Sequence, residues 1–391
     1  MVLMTRTLFG IHQVPAHRSL LAKGALFTLF VVCTAKQGMT QAPASPAPSE
    51  LDKYVSQRID VEENENVFTV FAFLNVAGYN DEVDSVAMTP IRQKVRSAAL
   101  AALSEAERKR IKEFYITHRV SEISHTYAVA AIVMQSPPEF RYSQGWSDLK
   151  ATEPYKSLNE LPDLLRDFYR DAHIHDLYLA GEPEYRSAIE SERTAILTQV
   201  RKVMLFCRID SPSQLNGQGE LKRSVVIPNL LESHQRATSL EWDDVFYSVE
   251  GPQTHPGYNP HEFVHSITNP LSYNPANKSL QQRAAPVLEA VKSLPEIQGT
   301  YDSLAAYLDE NLVRAISLKY LENGDAKRTE ILRDALMKEY ESGFVLEKFF
   351  YDQLDEFAHG SQSLATFYPM MLSRIDSSKE LQDWRKATGK H

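Results

Sequence analysis

The sequence predicts an α+β protein that is predominantly helical and carries a small sheet. Apolar residues recur at helical spacing from about residue 67 to 206, and again after residue 260. Two short runs rich in β-branched and aromatic residues, 224–228 and 244–249, lie between these helical regions. The chain has 391 residues, of which 43% are hydrophobic, so it holds enough apolar material for a large core in two domains or subdomains.

The N-terminus has the pattern of a secretory signal peptide over residues 1–35. Three basic residues precede the apolar run 24–35. That run is shorter than the roughly 20 residues that a membrane-spanning helix needs. A Pro/Ala-rich linker over 36–50 follows. We therefore expect an exported protein, periplasmic or extracellular, with no stable membrane insertion after signal removal. A lipid anchor at Cys33 and an uncleaved anchor are the alternatives.

Residues 51–210 are expected to form a helical N-terminal part. Ser104 and Glu107 fit a capping box that opens one of its helices, and Gly78 fits the end of another. The helical patterns lie near 67–78, 90–102, 104–117, 121–134, 159–172 and 184–206.

Residues 211–391 are expected to form the second part, in which the two short strands precede a series of helices. A turn-rich stretch after Ile209 marks the boundary. The helical patterns lie near residue 260 and at 279–293, 301–321, 326–340, 343–357 and 361–374.

The clearest chemical signal is the stretch 261–265. His261 and His265 are four residues apart, so on a helix they share one face, and both imidazoles can reach one Zn²⁺ at about 2.0–2.1 Å. Glu262 lies beside the first histidine and can accept a proton from a zinc-bound water, whose pKa zinc lowers to about 7. The pattern therefore predicts a zinc site with Glu262 as its catalytic base.

The residues around this stretch predict a short helix over about 260–268. Asn259 is a favourable N-cap and Pro260 suits the first helical position, whereas Asn269-Pro270 is expected to end the helix. Glu262 also falls at a capping-box position. A purely structural role for these polar residues is therefore an alternative.

Glu310 is the predicted third ligand. It lies off the apolar stripe of its helix and one turn before Arg314, which could orient it. Two histidines and a glutamate leave a fourth metal position for water. Two alternatives remain: Glu310 as a solvated partner of Arg314, and Asp309 as the acidic ligand instead.

The strand at 244–249 lies shortly before the histidine pair. Zinc peptidases pair the substrate backbone with an edge strand beside the metal-binding helix, and such pairing tolerates many sequences. We therefore expect this strand to be an edge that receives a peptide or protein substrate.

The combination of motifs resembles an uncharacterised bacterial family of predicted exported zinc peptidases that is grouped with the gluzincins. The features that carry the resemblance are His261–Ser266 followed by Asn269-Pro270-Leu271, the later Glu-x-x-Val-Arg-Ala at 310–315, and the stretch 66–79. The resemblance covers about residues 60–375. It implies a zincin-like catalytic part over 211–391, with His261, His265 and Glu310 as zinc ligands and Glu262 as base. It implies no particular substrate.

A peptidase also needs a hydrogen-bond donor for the oxyanion that forms during hydrolysis. Gluzincins supply a tyrosine or histidine from the region after the third ligand. The resemblance therefore points to Tyr368 and His359, with Tyr351 as a weaker candidate. The sequence does not choose among them.

The overall composition narrows the possible partners. The net charge of −9 argues against nucleic acid and against docking to anionic lipid. Of the two cysteines, Cys207 is expected to be a buried core thiol. His173 and His175 could hold a metal, although a helix-end role is preferred, and His255 is expected in a turn. The competing hypothesis is an exported binding or scaffold protein with a degenerate or structural metal site.

Overall fold

The computed structural model describes residues 3–4, 50–80, 88–118, 120, 123–143, 146, 155–209, 223–234, 236–252, 260–298, 300–301, 303–322 and 326–389. The predicted signal peptide and linker therefore lie outside the described residues, except for residues 3–4 and Glu50. His255 and the predicted cap Asn259 lie outside them as well.

The N-terminal part is helical, as the sequence predicts. Its elements are α1 (Glu50–Arg58), β2 (Ile59–Val61), α2 (Glu65–Ala77), α3 (Pro90–Ala102), α4 (Glu105–Thr117), α5 (Ile123–Ile132), a 3₁₀ turn (Tyr155–Leu158), α6 (Leu161–Asp171) and α7 (Ile174–Phe206). The predicted capping box is confirmed, because the Ser104 N–H donates to Glu107 Oε2 (2.7 Å) and the Glu107 N–H donates to Ser104 Oγ (3.3 Å). Gly78 ends α2 with a φ of 103°, a left-handed conformation that favours glycine.

The C-terminal part contains three strands followed by helices. Its elements are β3 (Arg223–Pro228), β4 (Ala237–Trp242), β5 (Val245–Glu250), α8 (His261–Ser272), a 3₁₀ turn (Pro275–Asn277), α9 (Lys278–Gln281), a second 3₁₀ turn (Gln282–Ala284), α10 (Ala285–Val291), α11 (Leu304–Lys319), α12 (Ala326–Ser342), α13 (Val345–His359), α14 (Leu364–Arg374) and α15 (Ser377–Thr388). The predicted helix at 279–293 is broken. Pro286 has no N–H to continue a helix, so it lies in the first turn of a new one.

The sheet is small and mixed. β2, β3 and β5 pair in parallel, and β4 pairs antiparallel with β5. A two-residue strand, β1 (Leu3–Met4), adds antiparallel to the outer side of β4. The order is therefore β1-β4-β5-β3-β2.

The expectation that the strand at 244–249 is an edge strand is wrong. The structure places this segment as β5 between β3 and β4, so its backbone groups are paired on both sides. Asp243 and Asp244 have φ values of 50° and 59°, which suits the two-residue turn of a hairpin. The turn folds β5 back onto β4, a strand that the sequence did not predict.

The sheet lies between two hydrophobic clusters. Val225 and Ile227 of β3 pack with the N-terminal helices, whereas Val226, which points to the opposite face, packs with the C-terminal helices. The C-terminal cluster also includes Tyr54 of α1 and Val200 of α7. Among the described residues, no helix is both long and apolar enough to cross a membrane.

Candidate metal centre

Two packed helices, α8 and α11, position the candidate site. The apolar side of α8, which includes Val264 and Ile267, belongs to the C-terminal cluster together with Leu308 and Leu312 of α11. With these residues in the core, the histidine-bearing side of α8 also faces α11. His261 and His265 of α8 therefore lie beside Asp309 and Glu310 of α11.

The boundaries of α8 differ from the prediction. The helix begins at His261, with Pro260 as the preceding cap residue, and it continues through Pro270 to Ser272. A proline inside a helix costs about 3 kcal/mol, but burial of Leu271, which is 4% exposed, contributes about 1.5–3 kcal/mol. Two side-chain donors, Asn277 Nδ2 (2.9 Å) and Gln281 Nε2 (2.5 Å), also bond the backbone oxygens of Leu271 and Ser272. Burial and these bonds offset the lost helical hydrogen bond.

The structure brings the three predicted ligands together. Ligand atoms of His261, His265 and Glu310 all lie within 4.8 Å of one another, so this group could hold a metal ion. His261 Nε2 is 3.6 Å from Glu310 Oε1, and His265 Nε2 is 3.5 Å from Glu310 Oε2. The two imidazole rings stand nearly perpendicular, with centroids 5.0 Å apart. Facing nitrogens and oxygens at such distances are too far apart for hydrogen bonds and leave room between them.

The donor set fits a divalent metal. His265 Nε2 and Glu310 Oε2 are buried and have no hydrogen-bond partner within the described part of the chain. A buried polar atom without a partner costs about 1–3 kcal/mol, and a metal ion would remove that cost. Two imidazole nitrogens and a carboxylate oxygen are ligands that zinc accepts in catalytic sites.

Asp309 orients His265 through the imidazole nitrogen that does not face Glu310. The His265 Nδ1–H donates to Asp309 Oδ2 at 2.7 Å, which orients the ring so that Nε2 faces Glu310. The alternative in which Asp309 replaces Glu310 as the ligand is therefore wrong in this structure, because Glu310 belongs to the ligand group. Neighbouring side chains on a helix point about 100° apart. Asp309 therefore contacts Nδ1 of His265, while Glu310 faces Nε2 of the same ring.

Arg314 holds Glu310 in the same way. Arg314 Nε donates to Glu310 Oε1 at 2.6 Å, one helical turn away. The pairing itself was predicted, but a solvated Glu310 was not found, since this side chain is only 1% exposed. Burial alone would raise the pKa of Glu310, yet the charge of the adjacent Arg314 guanidinium holds that pKa well below its usual range. The carboxylate is therefore ionised, as a metal ligand must be.

Replacement of Asp309 is expected to weaken zinc binding without removing a ligand. Asp309→Ala should lower zinc affinity by about 10- to 100-fold, because partners of metal-bound histidines typically contribute that much. Asp309→Asn keeps a hydrogen-bond acceptor and should lose less. Competition titration with a chromophoric chelator measures both variants, and Asp334→Ala on the exposed side of α12 is the matched control. Equal affinity in Asp309→Ala and wild type would contradict the role of Asp309.

Glu262 lies in the first turn of α8 next to His261, as the sequence predicts. Its side chain is 1% exposed, and those of the two histidines are 2% and 1% exposed. The predicted base is therefore buried, as the three candidate ligands are, and is next to His261 in the chain.

The three predicted oxyanion donors lie in different places. Tyr368 on α14 is fully buried, and its hydroxyl accepts a hydrogen bond from Ser272 Oγ (3.3 Å) at the end of α8. His359 is exposed at the C-terminal end of α13, where its Nδ1 contacts the backbone oxygen of Asp355. Tyr351 donates to Glu322. Of the three hydrogen bonds described here, only that of Tyr368 is made with α8.

His359 is not brought to the buried cluster. The beginning of α13, at Glu347, lies near Glu310 and Arg314, whose charges act on it. His359 is twelve residues further along this helix, which corresponds to about 18 Å at a rise of 1.5 Å per residue. Its exposed side chain therefore points into solvent at the far end of α13.

Two acidic residues near the site were missed by the sequence analysis. Glu339 on α12 accepts a hydrogen bond from Arg314 Nη1, and Glu347 on α13 is fully buried nearby. Both lie on helices that the sequence predicted, but nothing local indicates that these helices meet α11. The sequence offered one signal of a functional role: Glu347 lies on the buried face of an amphipathic helix, where an unpaired glutamate is rare.

The other sequence-predicted residues have structural roles. Cys207 is a buried thiol, as predicted, and burial raises its pKa to about 12. His173 precedes the first turn of α7, and His175 Nδ1 lies 2.8 Å from Glu65 Oε1. Within the described ranges, neither histidine belongs to a group that could bind a metal.

Comparison of the chain with protein-family models, with curated proteins and with solved structures finds no match.

Proposed function

We propose that this protein is an exported zinc-dependent peptidase with a zincin-like catalytic part. The observation that carries the proposal is the convergence of His261, His265 and Glu310 from two helices into one buried group. Glu262 beside the first histidine adds the base that hydrolysis requires. A histidine pair alone would not support the proposal, because many helices carry such spacing without a third acid.

Zinc is the metal that this donor set fits best. Imidazole suits several transition metals, but two histidines and one carboxylate with an open fourth position are typical of catalytic zinc. When bound, Zn²⁺ supplies Lewis acidity, which lowers the pKa of water to about 7 and polarises a carbonyl group.

The residues of the chain divide the remaining work. His261, His265 and Glu310 would hold the metal, with His265 fixed by Asp309 and Glu310 fixed by Arg314. Glu262 would take a proton from the attacking water and pass it to the leaving amine. Tyr368 remains the favoured candidate donor to the oxyanion, because its hydroxyl lies against the end of α8.

A peptide substrate is supported by the sheet. β4 is the outermost of the longer strands, and β1 adds to it antiparallel through Leu3 and Met4. β1 lies in the predicted signal peptide, so removal of that segment would leave this edge to an extended peptide, and pairing through backbone hydrogen bonds suits peptides of varied sequence. Export is supported by the signal-like pattern of residues 1–35.

Metal content and turnover together test the proposal. Purified protein should contain about one zinc ion per chain, which is what a single set of three ligands holds. It should cleave members of a broad peptide library followed by mass spectrometry, and a chelator should abolish cleavage that zinc then restores. Protein that binds no zinc would refute the proposed metal centre.

A structural metal site is the second candidate function, and the burial of the centre favours it. The three ligands and Glu262 are at most 2% exposed, whereas a catalytic metal must meet its substrate. Protein with one zinc, no turnover on the library, and a melting temperature that falls sharply on chelation would favour this second candidate.

A further inference from the structure

The guanidinium of Arg314 lies at the meeting point of three helices. Its Nε donates to Glu310 on α11, and its Nη1 donates to Glu339 on α12. Its Cζ lies 3.8 Å from the centroid of the Phe344 ring, in the turn between α12 and α13. The side chain is 4% exposed. One planar cation thus joins the ligand Glu310 to a second carboxylate and an aromatic face, which suits arginine better than lysine.

Glu347 is a third carboxyl group beside Arg314. The residue is fully buried, and neither of its oxygens has a hydrogen-bond partner among the described residues. Burial first, and then the charge of Glu339, raise the pKa of Glu347 well above its usual range. Three ionised carboxylates around a single buried arginine would leave uncompensated negative charge, which is costly. A neutral Glu347 avoids that cost and can donate its O–H to Glu339.

The turn that carries Phe344 is fixed to α11. Tyr307 Oη donates to the backbone oxygen of Gly343 (2.8 Å) and accepts from the Val345 N–H (3.2 Å). Gly343 has a φ of 124°, and a Cβ there would lie 2.9 Å from Leu294 Cδ1. The surroundings of Arg314 are therefore held in one arrangement relative to Glu310.

We propose that Arg314 and Glu339 form a positioning assembly that holds the Glu310 carboxylate in the orientation needed to bind the metal. The inference rests on the proposed function, because it assigns Glu310 as a ligand. Glu339 shares the positive charge of Arg314. Without Glu339, the guanidinium keeps only one of its two carboxylate partners and can turn away from its present geometry. The Glu310 carboxylate then loses its fixed orientation, which lowers metal affinity.

The zinc affinities of conservative variants of the full chain test the assembly. Glu339→Gln and Arg314→Lys should each bind zinc about 10- to 100-fold more weakly than wild type, and the melting temperature of metal-free Glu339→Gln should stay near that of wild type. Glu347→Gln should keep wild-type affinity, because an amide replaces a neutral acid and can still donate to Glu339. Glu330→Gln, on the exposed side of α12, is the matched control.

The outcomes separate the inference from the function on which it rests. Wild-type protein that binds no zinc would overturn the metal centre itself. Zinc-binding wild type with an unchanged Glu339→Gln would overturn only the positioning role. A tenfold loss in Glu347→Gln would overturn the neutral role of Glu347. The visible absorption of Co²⁺-loaded protein gives a second readout, since a displaced Glu310 should change the spectrum in Glu339→Gln and leave it unchanged in Glu330→Gln.

Discussion

Replacement of Glu262 by glutamine is expected to lower kcat/KM for peptide hydrolysis by about 10²- to 10⁴-fold, the usual contribution of a general base. Glutamine has nearly the same shape but cannot accept the proton of the attacking water. Because Glu262 is not one of the three residues that converge as ligands, the variant should retain its zinc. Metal analysis and progress curves on a cleaved library peptide measure the two properties.

The experiment identifies the base only if turnover is lost while the bound zinc is retained, so both are measured on the same variant. Wild-type turnover in Glu262→Gln would refute the assignment of the base. Loss of zinc together with turnover would instead indicate that Glu262 supports the metal centre. Glu330→Gln carries the same change on an exposed part of α12 and should behave as wild type in both measurements.

Glu310→Gln is expected to reduce zinc affinity by about 10²- to 10⁴-fold. Apparent zinc-binding free energies of about 10–16 kcal/mol are shared among three or four ligands, and each 1.4 kcal/mol corresponds to a factor of ten. The amide keeps the volume of the side chain and can still accept from Arg314 Nε, so the fold should survive. Chelator competition measures the affinity, and the melting temperature with and without zinc gives an independent readout.

The zinc-dependent gain in stability should shrink in step with affinity. Zinc at 100 times its dissociation constant stabilises the wild type by about 2.7 kcal/mol, and the same zinc concentration should stabilise Glu310→Gln far less. Undiminished zinc affinity in this variant would remove Glu310 from the ligand set. It would leave the histidine pair in need of another third ligand.

The three residues that could hold a metal could be predicted from the sequence because the rules that point to them are local. The spacing of His261 and His265 places both on one helical face, and Glu310 lies on a helix of clear periodicity one turn from Arg314. The sequence favoured Glu310 over Asp309 as the acidic ligand, but it could not show which of the two faces the histidine pair. That choice depends on how α11 is rotated against α8, and the rotation is fixed by the packing of distant apolar residues in the shared core.

The strands show where local rules fail. β4 was missed because polar residues on both its faces are buried: Thr238 is 2% exposed and Ser239 is 0% exposed. The alternation of side chains along β4 therefore does not distinguish a buried face from an exposed one. β2 has only three residues and pairs with β3, which begins more than 160 residues later. No neighbouring residues indicate such a pairing. The central position of β5 results from its pairing with β4, so it could not be foreseen once β4 was missed.

The choice between the two main candidate oxyanion donors could not be made from local sequence patterns either. Tyr368 and His359 both follow the third ligand on amphipathic helices, and the sequence gives them equal standing. The structure separates them, because Tyr368 contacts Ser272 at the end of α8 while His359 lies at the exposed end of α13.

The enclosure of the three ligand side chains, each at most 2% exposed, also has a kinetic consequence. An ion held there can leave only when α8 and α11 part, and such local opening draws on the stability of packed helices. Exchange would then follow the frequency of opening rather than the concentration of a competing chelator. An ion bound in this group would consequently be the one present when the chain completes folding, so the metals available at that moment would matter more than the order of intrinsic affinities among divalent metals.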